Sequence, residues 1–173
     1  MRIVAGEHRG RRIDAPKGLA TRPTADRVRE NAFNLIGPVD DATVLDLFAG
    51  SGALGIEALS RGAASCVFVE SDRAAVRTIG ENLDRLGLRG RVVAMDAVRA
   101  IAGDPGPYDL ILCDPPYDYD AHGSLAPHLA RLLSDDGLVV YESSSRSSEP
   151  EIEGLDVRTS RKYGAARLTL FTR

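Results

Sequence analysis

The stretch Thr43-Val44-Leu45-Asp46-Leu47-Phe48-Ala49-Gly50-Ser51-Gly52-Ala53-Leu54-Gly55 decides the fold of this chain. Its first five residues have the length and apolar character of a buried strand, and residues 52–60 have the apolar spacing of a helix. Between them, Gly50 and Gly52 would let the backbone approach a ligand closely at the helix start. The stretch therefore predicts a strand, a ligand-binding turn and a helix in succession.

The rest of the chain repeats this alternation of strand and helix. Helices are predicted at 72–86, with Asp72 as a candidate cap, from 97 and from 124, and strands at 65–70, 91–95, 108–113 and 138–142. Such alternation forms a parallel sheet with helices on both faces. Residues 155–162 and 166–172 predict a closing hairpin. We therefore expect an α/β fold with a doubly wound, mainly parallel seven-stranded sheet.

A basic segment precedes this core. Residues 1–30 carry eight basic and four acidic groups, a balance of +4, although the whole chain of 173 residues has a net charge of −3. Residues 2–5 and 11–14 predict a small hairpin, and residues 24–36 predict a helix with Thr24 as its N-cap. A basic extension on an acidic core is typical of proteins that contact phosphates. We expect residues 1–40 to form this extension and residues 41–173 to form the core.

A second motif, Asp114-Pro115-Pro116-Tyr117, follows the apolar run at 110–113. The two prolines restrict the backbone, and a rigid acidic loop suits methylation of a nucleobase amine, whose lone pair is delocalised into the ring. The Asp114 carboxylate and the Pro115 carbonyl could accept hydrogen bonds from the amine, while Tyr117 stacks on the base. Such positioning supplies roughly 7–11 kcal/mol of the barrier in favourable cases. The alternative is a plain proline turn.

Acidic residues lie at the ends of three predicted strands. Asp46 could meet the cationic amino group of S-adenosylmethionine, and Asp96 could accept a hydrogen bond from an adenine amine. Together with Glu70 they outline one extended nucleoside ligand, although each alone could be a helix cap. The glycines at 50, 52 and 55 also satisfy the G-x-G-x-x-G pattern of a dinucleotide site, with Glu70 at its ribose position. That pattern alone is therefore ambiguous.

Composition favours one compact domain. The chain is 43% hydrophobic, enough for a sizeable core. No apolar run approaches the roughly 18 residues of a membrane helix, and no signal peptide is visible, so we expect a cytoplasmic protein without membrane contacts. Cys66 and Cys113 lie in strand-like runs, where free cysteines are usually buried, and the three histidines lack metal-ligand spacing. We expect neither a disulfide nor a metal.

Three segments together resemble a known family. They are Asp46-Leu47-Phe48-Ala49-Gly50-Ser51-Gly52, Asp114-Pro115-Pro116-Tyr117 and Arg22-Pro23-Thr24-Ala25-Asp26-Arg27-Val28-Arg29-Glu30. The chain is similar over its whole length, including Arg9-Gly10-Arg11-Arg12, to the bacterial 16S ribosomal RNA guanine-N2 methyltransferases that modify guanine 966. The Arg-Pro-Thr segment followed by Phe33-Asn34 is the narrower signature, because many amino-methyltransferases share the other two. Ala5-Gly6 departs from the two glycines frequent in the family.

The resemblance implies the class I S-adenosylmethionine-dependent methyltransferase fold and assigns roles to particular residues. The cofactor, released as S-adenosylhomocysteine, would be bound by Asp46, Phe48, Gly50, Gly52, Glu70, Ser71, Asp96 and Ala97. The guanine N2 amine would be held by Asp114 and the Pro115 carbonyl, with Tyr117 against the base. RNA phosphates would be tracked by Arg9, Arg11, Arg12 and Lys17, while Arg22 and Thr24 border the active site. The partner would be 16S rRNA in an assembling small ribosomal subunit, with nearby ribosomal proteins, and the enzyme a monomer without metal.

Other functions share parts of these motifs. A DNA amino-methyltransferase acting on adenine or cytosine has the same acid-proline-proline loop, although no segment here is large enough to be an evident target-recognition domain. Methylation of cytosine C5 needs a nucleophilic thiol in the active-site loop, whereas Cys113 lies in the preceding strand. A nicotinamide-dependent dehydrogenase would use the glycine pattern. A non-catalytic RNA-binding module would have no need of the Asp114–Tyr117 loop.

Overall fold

The computed structural model describes residues 1–16, 23–116 and 121–173, and the side chains of residues 23–25 and 121–123 fall outside this description. Five helices lie in these ranges: α1 Pro23–Ile36, α2 Ala53–Ser60, α3 Arg73–Leu86, α4 Ala97–Ala102 and α5 Ala121–Leu132. The described strands are β1 Thr43–Leu47, β2 Ser65–Glu70, β3 Arg91–Ala94, β4 Tyr108–Cys113, β5 Leu133–Ser144, β6 Asp156–Tyr163 and β7 Ala166–Thr172.

These strands form one seven-stranded sheet in the order β3-β2-β1-β4-β5-β7-β6. The pairs from β3 to β5 are parallel, and β7 runs antiparallel between β5 and β6. The strand order reverses between β1 and β4, which pair directly, with Leu47 opposite Cys113. Ligands of doubly wound proteins bind beyond the carboxyl ends of the strands at such a reversal. The predicted α/β fold and closing hairpin are confirmed.

Two hydrophobic clusters cover the two faces of the sheet. One contains Phe68, Leu112 and Val140 together with apolar residues of α1, α2 and α3. The other contains Leu47 and Ile111 together with residues of α4 and α5. Because side chains alternate along a strand, each central strand feeds both clusters, which explains the nearly continuous apolar runs in the sequence.

Several predicted boundaries are wrong by a few residues. Helix α1 begins at Pro23, so Thr24 lies inside its first turn and is not the N-cap. A proline suits the first helical position because its fixed φ is already helical. Strand β5 begins at Leu133 instead of residue 138. Residues 134–137 are polar and resemble a turn in sequence, and an irregularity in the pairing of β5 with β4, between Tyr108 and Leu110, accommodates them. Helix α5 begins at Ala121, before the predicted Ser124.

The N-terminal segment pairs with itself, as predicted, but as a single antiparallel bridge between Arg2 and Arg12 and not as two regular strands. Its apolar residues Ile3 and Ile13 lie in the same cluster as Phe68 and Leu112 of the sheet. The buried carboxylate of Glu57 in α2 accepts hydrogen bonds from Val4 N and Ala5 N at 2.8 and 2.9 Å. The segment is therefore bonded to the core; the boundary between residues 40 and 41 stays a prediction.

No helix within residues 23–116 and 121–173 is long and apolar enough to cross a membrane.

Candidate active site

A cavity of about 630 Å³ opens at the carboxyl ends of β1, β4 and β5. Three acids line it, namely Asp46, Asp114 and Glu142. Phe48, Gly50 and Ser51 line it from the loop after β1, and Ala15, Pro16 and Arg29 line it from the N-terminal side. The volume falls in the range of small-molecule sites, and the position is that expected from the strand reversal.

The loop between β1 and α2, residues 48–52, is shaped by left-handed backbone conformations. Gly50 and Gly52 have φ values of 56° and 77°, and Gly52 caps α2. Phe48 also has a positive φ of 59°, which is uncommon for a side chain of its size and costs on the order of 1–3 kcal/mol. Such strain is typical of functional sites. The two glycines occupy conformations that larger residues adopt poorly, which explains their spacing.

Asp46 lies in β1 with 1% of its surface exposed. Its carboxylate accepts a 2.9 Å hydrogen bond from Gly55 N in the first turn of α2. Burial, with smaller contributions from the charges of Asp114 and Glu70, raises the pKa of Asp46 to about 7, against the lowering effect of the Gly55 hydrogen bond. A buried acid of this kind is stabilised by a cationic partner, and one face of the cavity therefore suits an ammonium group.

Glu70 supports the same loop from the end of β2. One carboxylate oxygen accepts from Gly50 N at 2.8 Å, and the other accepts from Ser71 N and Asp72 N, both at 2.8 Å. Asp72 in turn caps α3 through Ala75 N, as predicted. The acid at the predicted ribose position therefore already organises the backbone around it.

Asp96 caps α4, since its side chain accepts from Arg99 N at 3.1 Å. The next residue, Ala97, is buried in the cluster beneath α4. Because β3, β2 and β1 are neighbours, Asp96, Glu70 and Asp46 follow one edge of the sheet in that order. Asp46 lines the described cavity, whereas Glu70, Ser71 and Asp96 extend the edge beyond it.

Asp114 directly follows β4 and lines the cavity beside the loop after the neighbouring strand β1. Asp114 is exposed at the cavity, but the surrounding protein partly desolvates its carboxyl group. This desolvation raises the pKa of Asp114 to about 6. Pro115 is buried next to it. Tyr117 lies outside the described residues, so its predicted stacking role stays a prediction.

The thiol of Cys113, one residue before Asp114, is free and buried. Burial raises the pKa of Cys113, and of Cys66 in β2, well above the ordinary value for a thiol. Both cysteines therefore remain protonated and behave as small apolar residues, as predicted. Among the described residues, no group of three or more histidines, cysteines or acids could hold a metal ion.

The three predicted RNA-contacting arginines of the N-terminal segment have different surroundings. Arg9 is exposed. Arg12 pairs with Asp14 at 2.9 Å, with 80% of its side chain still accessible. Arg11 instead donates to the carbonyl oxygens of Arg85 and Leu86 at the end of α3, at 2.9 and 3.3 Å. Arg11 thus satisfies carbonyls that a helix end leaves unpaired. Lys17 and Arg22 lie outside the described residues, as does the side chain of Thr24.

Sequence reasoning missed several residues around the cavity. Arg29, counted among the basic groups of the extension, is 3% exposed and lies 3.4 Å from the buried Glu57, so it is not a surface cation. The sequence predicts Glu142 only as the last residue of a strand, yet it lines the cavity beside Asp114. Asn82 in α3 is fully buried and bonds to Ser51. Its position on the apolar face of α3, three residues after Ile79, was the available signal.

Known proteins resemble this chain in sequence, and a solved structure also resembles it in fold. The family model described as "Conserved hypothetical protein 95" matches residues 1–172. "Putative rRNA methyltransferase YlbH" of Bacillus subtilis (strain 168) is 39% identical over 99% of this chain and 98% of its own length. "Ribosomal RNA small subunit methyltransferase D" of Escherichia coli (strain K12) is 40% identical over 88% of this chain and 79% of its own. The solved structure "Putative methyltransferase yhhF from Escherichia coli" superimposes with a TM-score of 0.88 and 36% identity, covering 100% of this chain and 97% of that one.

Proposed function

The chain belongs to the conserved hypothetical protein 95 family, together with ribosomal RNA small subunit methyltransferase D, and we propose that it methylates the N2 amine of a guanine in 16S rRNA, of the guanine 966 type. The methyl donor would be S-adenosylmethionine. The observation that carries the proposal is the position of Asp114, which follows β4 and lines one cavity together with the loop after the neighbouring strand β1, at the strand reversal.

The described residues fit such a methyl donor. The buried Asp46 suits a cationic amino group, and the glycine loop exposes backbone at the cavity wall. Glu70 with Ser71, and Asp96 with Ala97, follow along the same sheet edge, where we place the ribose and the adenine. Bound there, the donor supplies an electrophilic methyl group on a sulfonium sulfur.

Asp114 and Pro115 would then prepare the nucleophile. The ionised Asp114 carboxylate and the Pro115 carbonyl accept hydrogen bonds from the two N2 hydrogens, which draws the nitrogen toward tetrahedral geometry. Asp114 is mostly ionised at neutral pH, since its pKa is about 6. As the nitrogen gains a methyl group it becomes acidic, and Asp114 can accept the proton and release it to water. Tyr117 would stack on the base.

The target base must leave its helix to reach this cavity, because N2 of a paired guanine cannot align with a buried donor. The N-terminal segment forms the adjoining wall through Ala15 and Pro16. Within residues 1–40, the proposed RNA-facing extension, Arg9, Arg12 and Lys17 would contact phosphates and Arg22 with Thr24 would border the base. Arg11 would also contact phosphates from the hairpin, while it donates a hydrogen bond to the Arg85 carbonyl at the end of α3.

The substrate would be 16S rRNA within an assembling small subunit, where nearby ribosomal proteins adjoin the enzyme. The enzyme would act in the cytoplasm, as a monomer and without a metal, and release S-adenosylhomocysteine.

The test is a mass-spectrometric scan of small-subunit rRNA from cells that lack this gene. We expect one N2-methylguanine to be missing, restored by the wild-type gene and by the control Asp84→Ala, which changes an exposed acid of α3. Asp114→Ala should not restore it, although calorimetry should still show S-adenosylmethionine binding. If every N2-methylguanine persists in the deletion strain, the proposal fails. Calorimetry with NAD, and a scan of DNA for N6-methyladenine, would identify the competing functions.

A further inference from the structure

The side chain of Asn82 joins the two sides of the cavity. Its Nδ2 donates to Ser51 O and to Asp14 O, both at 3.0 Å. Its Oδ1 accepts from Asp14 N at 2.9 Å and from Arg85 Nη2 at 2.6 Å. A side-chain amide has two donor hydrogens and two acceptor lone pairs, so these four bonds use its full capacity.

The partners of Asn82 belong to the two regions with distinct proposed roles. Ser51 is in the loop after β1, where the methyl donor is placed, and it lines the cavity with Gly50. Asp14 immediately precedes Ala15 and Pro16, which form the wall on the side of the N-terminal segment. A weaker second link runs from Ser51 Oγ to Met1 Sδ at 3.8 Å.

Several bonds that do not involve Asn82 also attach the N-terminal segment to the core. Ser60 in α2 accepts from His8 N at 3.0 Å and donates to Ala5 O at 2.7 Å, and Glu57 binds Val4 N and Ala5 N. These bonds anchor the hairpin to α2 without contacting Ser51. The buried amide of Asn82 adds a connection of a different kind, since it ties the hairpin to the loop.

We infer that Asn82 is a positioning residue that makes the binding of S-adenosylmethionine and of RNA mutually reinforcing. A ligand that orders the loop at Ser51 also orders Asp14 through the shared amide, so the second ligand meets a wall that is already fixed. The inference rests on the proposed function, in which the N-terminal segment faces RNA. By linkage, each ligand must increase the affinity for the other by the same factor, typically about 5- to 150-fold for coupled sites.

Three proteins test this coupling, namely wild type, Asn82→Asp and Ser60→Ala. Asn82→Asp keeps the acceptor for Asp14 N and Arg85 but places an oxygen against Ser51 O and Asp14 O. Ser60→Ala is the matched control, because it removes two bonds to the hairpin and none to the loop. The Kd of unmethylated small subunits, purified from cells lacking the gene, is measured with and without saturating S-adenosylhomocysteine.

We expect S-adenosylhomocysteine to lower the Kd of wild type and of Ser60→Ala by at least fivefold, and that of Asn82→Asp by less than twofold. The KM for S-adenosylmethionine, measured at saturating subunits, should rise in Asn82→Asp while remaining near wild type in Ser60→Ala. If the wild-type Kd for subunits is the same with and without S-adenosylhomocysteine, the inference is overturned even if no variant folds. It is also overturned if S-adenosylhomocysteine lowers the Kd of Asn82→Asp by the same factor as that of wild type. Failure of the wild type to methylate the subunits would instead refute the proposed function.

Discussion

The carboxylate of Asp46 and the backbone N–H of Gly55 form a hydrogen bond of 2.9 Å between β1 and the first turn of α2. The bond joins the two sides of the loop at 48–52, and the Asp46 side chain also lines the cavity. Under the proposed function, Asp46 therefore has a structural role and a ligand-binding role, which make opposite demands on its ionisation. A neutral acid suits the unliganded fold, and an ionised acid suits a cationic ligand.

Asp46→Asn should stabilise the unliganded protein in a pH-dependent way. An aspartate titrates near 3.9 in an unfolded chain and at about 7 here. Because the folded pKa is raised, wild-type stability is highest below the unfolded pKa and falls as pH rises toward 7, where the full cost of the buried charge is reached. Thermal unfolding at pH 8 should therefore show a higher Tm for the variant, by about 2–4 °C for each kcal/mol gained. At pH 5 the gain should be much smaller.

The same variant should lose at least tenfold in affinity for S-adenosylmethionine by calorimetry, because a charge-assisted hydrogen bond contributes about 1.5–3 kcal/mol. If Asp46→Asn instead changes the Tm by the same amount at pH 5 and at pH 8, the assigned ionisation of Asp46 is contradicted.

Gly55→Ala should destabilise the protein by about 1–3 kcal/mol, the usual cost of overpacking a core. An added Cβ would lie 2.3 Å from the Phe68 ring and 2.6 Å from Cys66 Sγ, so α2 would have to move away from β2. Gly80→Ala is the control, since Gly80 lies in α3 with no atom within 4 Å of its added Cβ. Replacing that helical glycine should stabilise by about 0.5–1 kcal/mol.

Urea unfolding of both variants measures these differences. If Gly55→Ala matches the wild type, the close approach of α2 to β2 is not a constraint on the fold.

The parts of the site that sequence predicts are those encoded locally. The strand at 43–47, the glycine loop and the Asp72 cap each depend on residues adjacent in the chain, and periodicity with turn chemistry is enough to locate them. Asp114 was predictable for the same reason, since a strand ends where the prolines begin.

The residues that were missed depend on contacts far apart in the chain. Asn82 and Asp14 are separated by 68 positions, and Glu57 and Arg29 are a buried pair that resembles two ordinary surface charges in sequence. Glu142 became a cavity residue only through the pairing of β5 with β4, which places it beside Asp114. Local patterns contain no information on such pairings, because a polar residue on a helix or strand end is usually solvated.

Methyl transfer should depend on pH through Asp114. The carboxylate must be ionised to accept hydrogen bonds from the amine, and its pKa is about 6. With S-adenosylmethionine saturating at every pH, so that titration of Asp46 does not limit donor binding, the single-turnover rate should therefore rise from pH 5 to about pH 7 and level off above it. Asp114→Asn should be at least 100-fold slower at pH 7.5 and show no step near pH 6, since its amide does not titrate. A flat wild-type profile between pH 5 and pH 7, on subunits intact at both values, would exclude Asp114 as the titrating acceptor.

Arg9 and Arg11 should differ although both belong to the same basic hairpin. Arg9 is exposed, so Arg9→Ala should weaken binding of small subunits and reduce the slope of log affinity against log salt by about one, the effect of one lost phosphate contact. Its Tm should match that of wild type. Arg11→Ala removes the donors that satisfy the Arg85 and Leu86 carbonyls, so it should lower the free energy of unfolding by about 1–3 kcal/mol. Salt titrations of subunit binding, run beside urea unfolding, measure both effects. An Arg9→Ala variant that unfolds more easily but keeps the wild-type salt slope would reverse the assignment and make Arg9 the structural residue.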